Sequence, residues 1–544
     1  MFVKKIFFLA YIFVMVAVTR RVGAVALFHN EEMNVVRLQN SKIEQRVHTV
    51  EEKRYVQRTT ALSLRDTFLS YKESDWNLVG EIEVTLFDGE EILIKKDKVI
   101  SYQEGYTTWI GRVDDDAANL VVMTIRDDSV SAHLNLGSSI YAIRPLGEGF
   151  HLLFQYNDEW KKGKPDFLTE EDLKNDFPHL HEKHVNALHE KETLSSPEAA
   201  DNGTFVDLYV PYTDDAAAAS SDIVTEIISG VAYTNQMLED SCALFRYRLV
   251  GTEEFSYADS SAVSGGTVLG EISDPADGVL DGIETSRVAL GADFVQIWVE
   301  NITDVCGVAW APLTATSSTT YGYSLMVRSC PAGVVGHELG HNFSLHHDRF
   351  QANTSKHDLN AGYGSGYGFI STQQSFVTTQ SYATECAAYG LTCSSIPYYS
   401  NPNIVYRGES IGVPGRVDAV GKMNSVRVAV SNIYPAASAY SVDVTTGCDA
   451  TTAENKIEQG CFVATATYGD FHHPYVKILR KFRGDFLLKS LMGKQFTKLY
   501  YRYSPPLASL IEKRPFLKNI SQSILFPIVF SVQYFLEMTK SESQ

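Results

Sequence analysis

Residues 336–348 read Gly-His-Glu-Leu-Gly-His-Asn-Phe-Ser-Leu-His-His-Asp. His337 and His341 stand four residues apart, so on an α-helix they lie one above the other on one face and can grip a single metal ion. Glu338 sits beside them, placed to touch a water on that metal. The next candidate, His347, follows six residues after His341, and a continuing helix would point it well away from the first pair. The chain must therefore turn near Ser344. A helix, a turn and a returning loop are thus tied to one point, with His346 as the alternative third ligand and a downstream carboxylate as a further one.

The His-Glu-x-x-His pattern, closed after a turn by His347 and Asp348, resembles the metzincin zinc peptidases, and Asp348 is most similar to the reprolysin/adamalysin-like branch of bacterial secreted enzymes. That resemblance implies one catalytic Zn2+ on His337, His341 and His347, with Glu338 as general base; calcium is left open. The family has Gly at the turn, where Ser344 stands here. If the backbone there is left-handed, a side chain costs about 1–2 kcal/mol. The family also carries a methionine turn beneath the metal. Thr378-Thr379-Gln380-Ser381-Tyr382 is the best match, with Gln380 in the methionine place and Tyr382 where some relatives keep a tyrosine that helps hold a developing oxyanion, simple packing being the other reading of Tyr382. Ile396–Asn403 resembles the loop that walls the pocket after the scissile bond, and Tyr323–Val327 is either the edge strand along which a peptide lies, as the resemblance implies, or an ordinary core strand.

The chain has 544 residues, 44% hydrophobic and 21% charged, which excludes wholesale disorder and suggests about three or four folding units. Lys4 and Lys5, an apolar run from Ile6 to Val18 and the small-residue site Val22-Gly23-Ala24 read as a secretory signal, residues 1–24, an uncleaved anchor being the alternative. In an exported chain the seven cysteines read as disulfides. By position, Cys386 pairs with Cys393, Cys306 with Cys330 and Cys448 with Cys461, leaving Cys242 over.

Residues 25–158 are expected as a β-rich propeptide: Ile82, Val84 and Leu86 alternate with Glu81, Glu83 and Thr85, and Asp88-Gly89 marks a hairpin. Thr108–Arg112 and Ile143–Leu146 resemble the propeptides ahead of secreted reprolysin-like enzymes. No cysteine precedes Cys242, so the cysteine cap that silences several metzincins is absent. Residues 159–202 form a charged linker expected to hold the maturation site. Its His179, His181, His184 and His189 are read as solvated, reach to the metal being the alternative.

Residues 203–440 follow as the catalytic domain. Strands are expected at Phe205–Val210, Leu244–Val250 and Phe294–Val299, and helices at Ser220–Leu238, Val279–Ala289 and Val417–Tyr434. The fold class is an α+β metzincin-like domain, a mixed twisted sheet with the active-site helix, between a β-rich prodomain and a small basic helical tail. Residues 441–460 are a linker.

The formal charge of −19 is uneven: residues 461–544 hold twelve Lys/Arg against five Asp/Glu, a net +7, leaving −26 for residues 1–460. This tail opens Cys-Phe-Val-Ala-Thr and resembles the Cys-Phe-Ile-box extension of exported bacterial proteins. Leu479, Phe482 and Phe486 fall on one face of a basic helix, and Ile524–Leu536 is apolar but too short for a span. Association with a membrane or cell surface is one expectation, a small docked helical domain the other.

The function expected is a secreted, extracellular zinc endopeptidase acting on protein or peptide substrates, with retention at the cell surface as a variant. The alternative is a catalytically decayed metzincin used for surface binding or adhesion. No phosphate-binding glycine loop or basic groove interleaved with aromatics occurs, so nucleotide and nucleic-acid functions are set aside.

Overall fold

The computed structural model describes, apart from short internal gaps, residues 25–31, 41–65, 71–157, 166–182, 201–312, 321–354, 363–434, 462–482 and 511–541. The expected signal segment and residues 441–460 lie outside these.

The alternation read in Glu81–Thr85 folds as expected. Ile82, Val84 and Leu86 are buried while their neighbours are partly exposed, and the strand turns through Phe87–Gly89 to pair antiparallel with Glu91–Ser101. Gly89 takes a φ of 73° there, which the tight turn requires. The meander continues through Thr107–Val113, Leu120–Arg126, Ser129–Leu136, Ser139–Gly147 and Phe150–Tyr156, then pairs with Val56–Leu64 and Phe28–Glu31 to complete a ten-stranded sheet. Only Val25–Ala26 joins parallel, on Glu81–Thr85.

The second sheet has six strands in the order Phe167–Leu168, Gly307–Trp310, Tyr323–Val327, Phe294–Val299, Phe205–Thr213, Arg246–Phe255. All neighbours are parallel except Gly307–Trp310 with Tyr323–Val327. Of the two readings open for Tyr323–Val327, the structure gives the core strand, bonded on both sides, and not the edge. The outer strand is Gly307–Trp310, and it is covered by Phe167–Leu168. Residues 166–180, expected within a charged linker, are therefore built into this sheet and its flank, because they bring buried apolar residues, Phe167, Leu173 and Leu180, to a vacant strand edge.

Helix Ile223–Asp240 is almost wholly buried because the ten-stranded sheet lies on one side of it and the second sheet with helix Gly333–Asn342 on the other. Gly230 permits this approach: a Cβ there would stand 3.1 Å from Trp298 and 3.3 Å from Val335. Across the same junction Arg144 pairs with Glu226 at 2.7 Å, and Arg328 pairs with Glu226 at 2.9 Å and with Glu300 at 2.6 Å. All four groups are buried, so loss of one partner would strand a charge. Cys306–Cys330 and Cys386–Cys393 are bridged as expected. Cys242, expected to be left over, is disulfide-bonded too, and Cys448 and Cys461 lie outside the described residues. The described parts of the tail are helices Phe462–Tyr468, Pro474–Phe482 and Pro515–Ser541, packed on one another through Ala464 and Val476. Among the described residues no helix is long and apolar enough to cross a membrane.

Candidate metal centre

Helix Gly333–Asn342 is fastened at both ends. Tyr399 donates its hydroxyl to the Gly336 carbonyl at 2.6 Å, and Asn342 Nδ2 lies 2.8–3.0 Å from the carbonyls of Trp310, Tyr321 and Tyr323. The helix stops where the sequence required. Ser344 N–H donates to His341 O at 2.8 Å and Leu345 N–H to Gly340 O at 3.1 Å, the reciprocal pair of a Schellman cap. Ser344 is the left-handed residue of that cap, with a φ of 62°, at the cost expected for a side chain in a glycine conformation.

This turn returns His347 to His337 and His341. One donor atom from each, with one from Asp166, lie within 4.8 Å of one another. His337 Nδ1 donates to Thr379 O and His341 Nδ1 to Leu345 O, both at 2.8 Å, which leaves each Nε2 as a lone pair facing the cluster. All three Nε2 atoms are buried and make no hydrogen bond. Burial also pushes His341 down to about 4, so it is neutral at neutral pH, as a metal ligand must be. The Asp166 carboxylate overcomes burial at His337 and raises it. Three imidazole nitrogens and a carboxylate oxygen, converging within 4.8 Å of one another, fit a divalent cation of the zinc type.

His346 is buried elsewhere, its ring 4.9 Å from Phe167, 5.0 Å from Tyr363 and 5.6 Å from Tyr367, and is not in the cluster. Asp348 accepts from Tyr382 N–H at 3.1 Å and from Gln351 N–H at 2.8 Å, so it ties the returning loop to the Thr378–Tyr382 turn. Tyr382 stands over the site, its ring 4.7 Å from His347, and donates its hydroxyl to Asp166.

Glu338 is 1% exposed, and its Oε2 has no hydrogen-bond partner. It lies on the outer strand at Gly307, where an added Cβ would come within 2.6 Å of its carboxylate; only glycine leaves room. Burial, then the charge of Asp166, pushes its carboxyl well above the ordinary range. A cavity beside it is lined by Tyr233, Met237, Val334, Val377 and, from the loop expected to wall it, Ile396 and Pro397.

Gln380 lies beneath, against Gly340, fully buried with neither amide atom hydrogen-bonded. Gln380→Met should therefore raise unfolding stability by about 1–3 kcal/mol, the cost of an unpaired buried amide, as read from urea midpoints at constant slope. An unchanged or lower midpoint would mean that the amide has partners in solution.

Reading the sequence alone missed Asp166, the fourth member of the cluster. Of the linker histidines, His179 does not reach the site but pairs with Asp274 at 2.7 Å; His181, His184 and His189 lie outside the described residues.

The model of the family described as Metallo-peptidase family M12B Reprolysin-like matches residues 224–348, a stretch that holds helix Ile223–Asp240 almost entire and ends at Asp348. These likenesses support a metallopeptidase. A peptidyl-Asp metalloendopeptidase of Stenotrophomonas maltophilia (strain R551-3) is 26% identical over 348 residues, covering 61% of this chain and 78% of the relative. One of Xanthomonas campestris pv. campestris is 26% identical over 346 residues, covering 61% and 76%. Among solved structures, metalloproteinase-II from Bacteroides fragilis overlaps 49% of this chain and 81% of its own, at 8% identity and a TM-score of 0.28. A chaperone–substrate complex overlaps 58% of this chain and 40% of its own, at 17% identity and a TM-score of 0.33. At such scores neither describes the fold.

Proposed function

We propose that the chain is an exported zinc endopeptidase, made as a precursor. The observation that carries this reading is the cluster of three buried, hydrogen-bond-free Nε2 atoms beside an equally buried glutamate. His337, His341 and His347 would hold the ion, which when bound polarises a peptide carbonyl and makes a water acidic at neutral pH. Glu338 takes the proton from the attacking water and returns it to the departing amine. Its raised proton affinity suits a group that must hold that proton between the two steps. Tyr382 donates its hydroxyl to the oxygen on which charge develops. The substrate, a protein or peptide, lies extended along Gly307–Trp310, with a side chain in the apolar cavity beside Glu338. Relatives named for peptidyl-Asp cleavage add support for an endopeptidase.

Residues 1–24 serve as signal, 25–158 as propeptide, 203–440 as catalytic domain and 461–544 as tail, with maturation cleavage in 159–202. Helix Pro515–Ser541 exposes Phe516, Ile524, Phe526 and Phe530, which supports retention of the tail at a membrane surface. The test is expression of the whole chain in an exporting host, followed by assay of medium and membranes for cleavage of a denatured protein. Activity outside the cell that a chelator abolishes and zinc restores is the expected result. Exported, zinc-loaded protein without cleavage of any substrate would favour the binding-protein alternative.

A further inference from the structure

We propose that Asp166 is the group that keeps this chain latent, its carboxylate standing as fourth metal ligand while residues 166–180 strap the substrate edge; this rests on the endopeptidase reading above. Asp166 Oδ1 is 2.6 Å from His347 Nε2 and 3.6 Å from His341 Nε2, and Oδ2 is 3.4 Å from His337 Nε2. At least two of these nitrogens are lone pairs, since the Nδ1 atoms of His337 and His341 carry the protons. A carboxylate among such nitrogens calls for a cation between them, and the convergence of three imidazole nitrogens and one carboxylate oxygen within 4.8 Å is the geometry of a metal ion. The same carboxylate takes the hydroxyl of Tyr382, the donor otherwise offered to the reacting carbonyl. One side chain thus occupies two of the three groups that would act on a substrate, the metal and Tyr382, and leaves only Glu338.

The residues that follow are fitted as closely. Phe167 lies 4.8 Å from the ring of His341 and 5.0 Å from that of His347. Phe167–Leu168 runs parallel to Ala309–Trp310, with Ala309 N–H donating to Asp166 O at 3.2 Å and Ala311 N–H to Leu168 O at 2.8 Å. The outward backbone donors of the strand edge are therefore used. A capping box at Thr169 and Asp172 starts helix Glu170–Asp176, which delivers Phe177 against Gly270. A Cβ at Gly270 would stand 2.2 Å from that ring, so the notch exists only because residue 270 is glycine. Phe177 also meets Trp310 edge-on at 5.9 Å. Each contact is modest, but all are made by one tethered segment, so together they hold the carboxylate in place at high effective concentration. With no cysteine before Cys242, a carboxylate takes the part that a thiolate would play.

The test uses the full chain carrying Glu338→Gln, so that self-cleavage does not remove the strap. Co2+ is loaded, and the visible absorption bands are read with Asp166 intact, with Asp166→Ala and with Asp166→Asn, which keeps the volume and the packing of Phe167. Both substitutions should shift the bands, and loss of Co2+ to a chelator should quicken on the order of tenfold. With Glu338 restored, uncut Asp166→Ala chain should cleave a short fluorogenic peptide on the order of tenfold faster than uncut parent. Unchanged bands in both variants would show that Asp166 is not on the metal and overturn the proposal, whatever the activity. Shifted bands with no hydrolysis by any form, cut or uncut, would uphold Asp166 as ligand and overturn the endopeptidase reading instead.

Discussion

Glu338→Gln should leave the fold and the metal in place and lower turnover by about a hundredfold to ten-thousandfold, the share that a positioned general base contributes. The substitution is nearly isosteric, which matters here because the side chain is 1% exposed and wedged against the backbone of Gly307. An amide fits that slot but cannot take a proton from water. The parent carboxyl, pushed up by burial, can take it and keep it until the amine leaves. Turnover of a fluorogenic peptide by matured enzyme, with metal content measured on the same samples, separates the two effects. A variant with full metal and turnover within about threefold of the parent would remove Glu338 from the chemistry.

His347→Ala should weaken metal binding on the order of a hundredfold or more, whereas His346→Ala should keep the metal. The neighbours have opposite surroundings. His347 Nε2 faces the cluster, 2.6 Å from the Asp166 carboxylate. His346 sits among Phe167, Tyr363 and Tyr367, and its loss would open a hole in packing rather than in the donor set. Competition with a colorimetric chelator reads both variants. Retention of the metal by His347→Ala with loss in His346→Ala would reverse the assignment. Retention in both would point to a carboxylate as the third ligand, Asp166 or a downstream one.

The centre of the molecule was legible because its signals are local. A four-residue histidine spacing fixes a helical face, and a third histidine at the wrong angle demands a turn, so the left-handed cap at Ser344 could be expected from sequence. Alternation in Glu81–Thr85 and the run Phe294–Val299, apolar but for Gln296, likewise carry their own signal. The order of strands does not. Tyr323–Val327 and Gly307–Trp310 are both short and wholly buried, and nothing in either says which is outermost.

Asp166 was missed for a related reason. It is one acid in a stretch rich in charge, followed by a strand of only two residues, too short for any pattern to register. The signal that could have found it is the break in that stretch at Asp166-Phe167-Leu168, together with the lack of an upstream cysteine in a chain expected to need silencing. Cys242 failed differently: pairing by nearness in sequence left it over, whereas it is disulfide-bonded.

The most direct measurement is X-ray absorption at the zinc edge on the purified full chain. Three imidazole nitrogens and one oxygen at about 2.0–2.1 Å are expected, the oxygen remaining a carboxylate so long as the strap is uncut. Sulfur scattering near about 2.3 Å, fewer than three imidazoles, or absence of zinc from folded protein would contradict the site built from His337, His341 and His347.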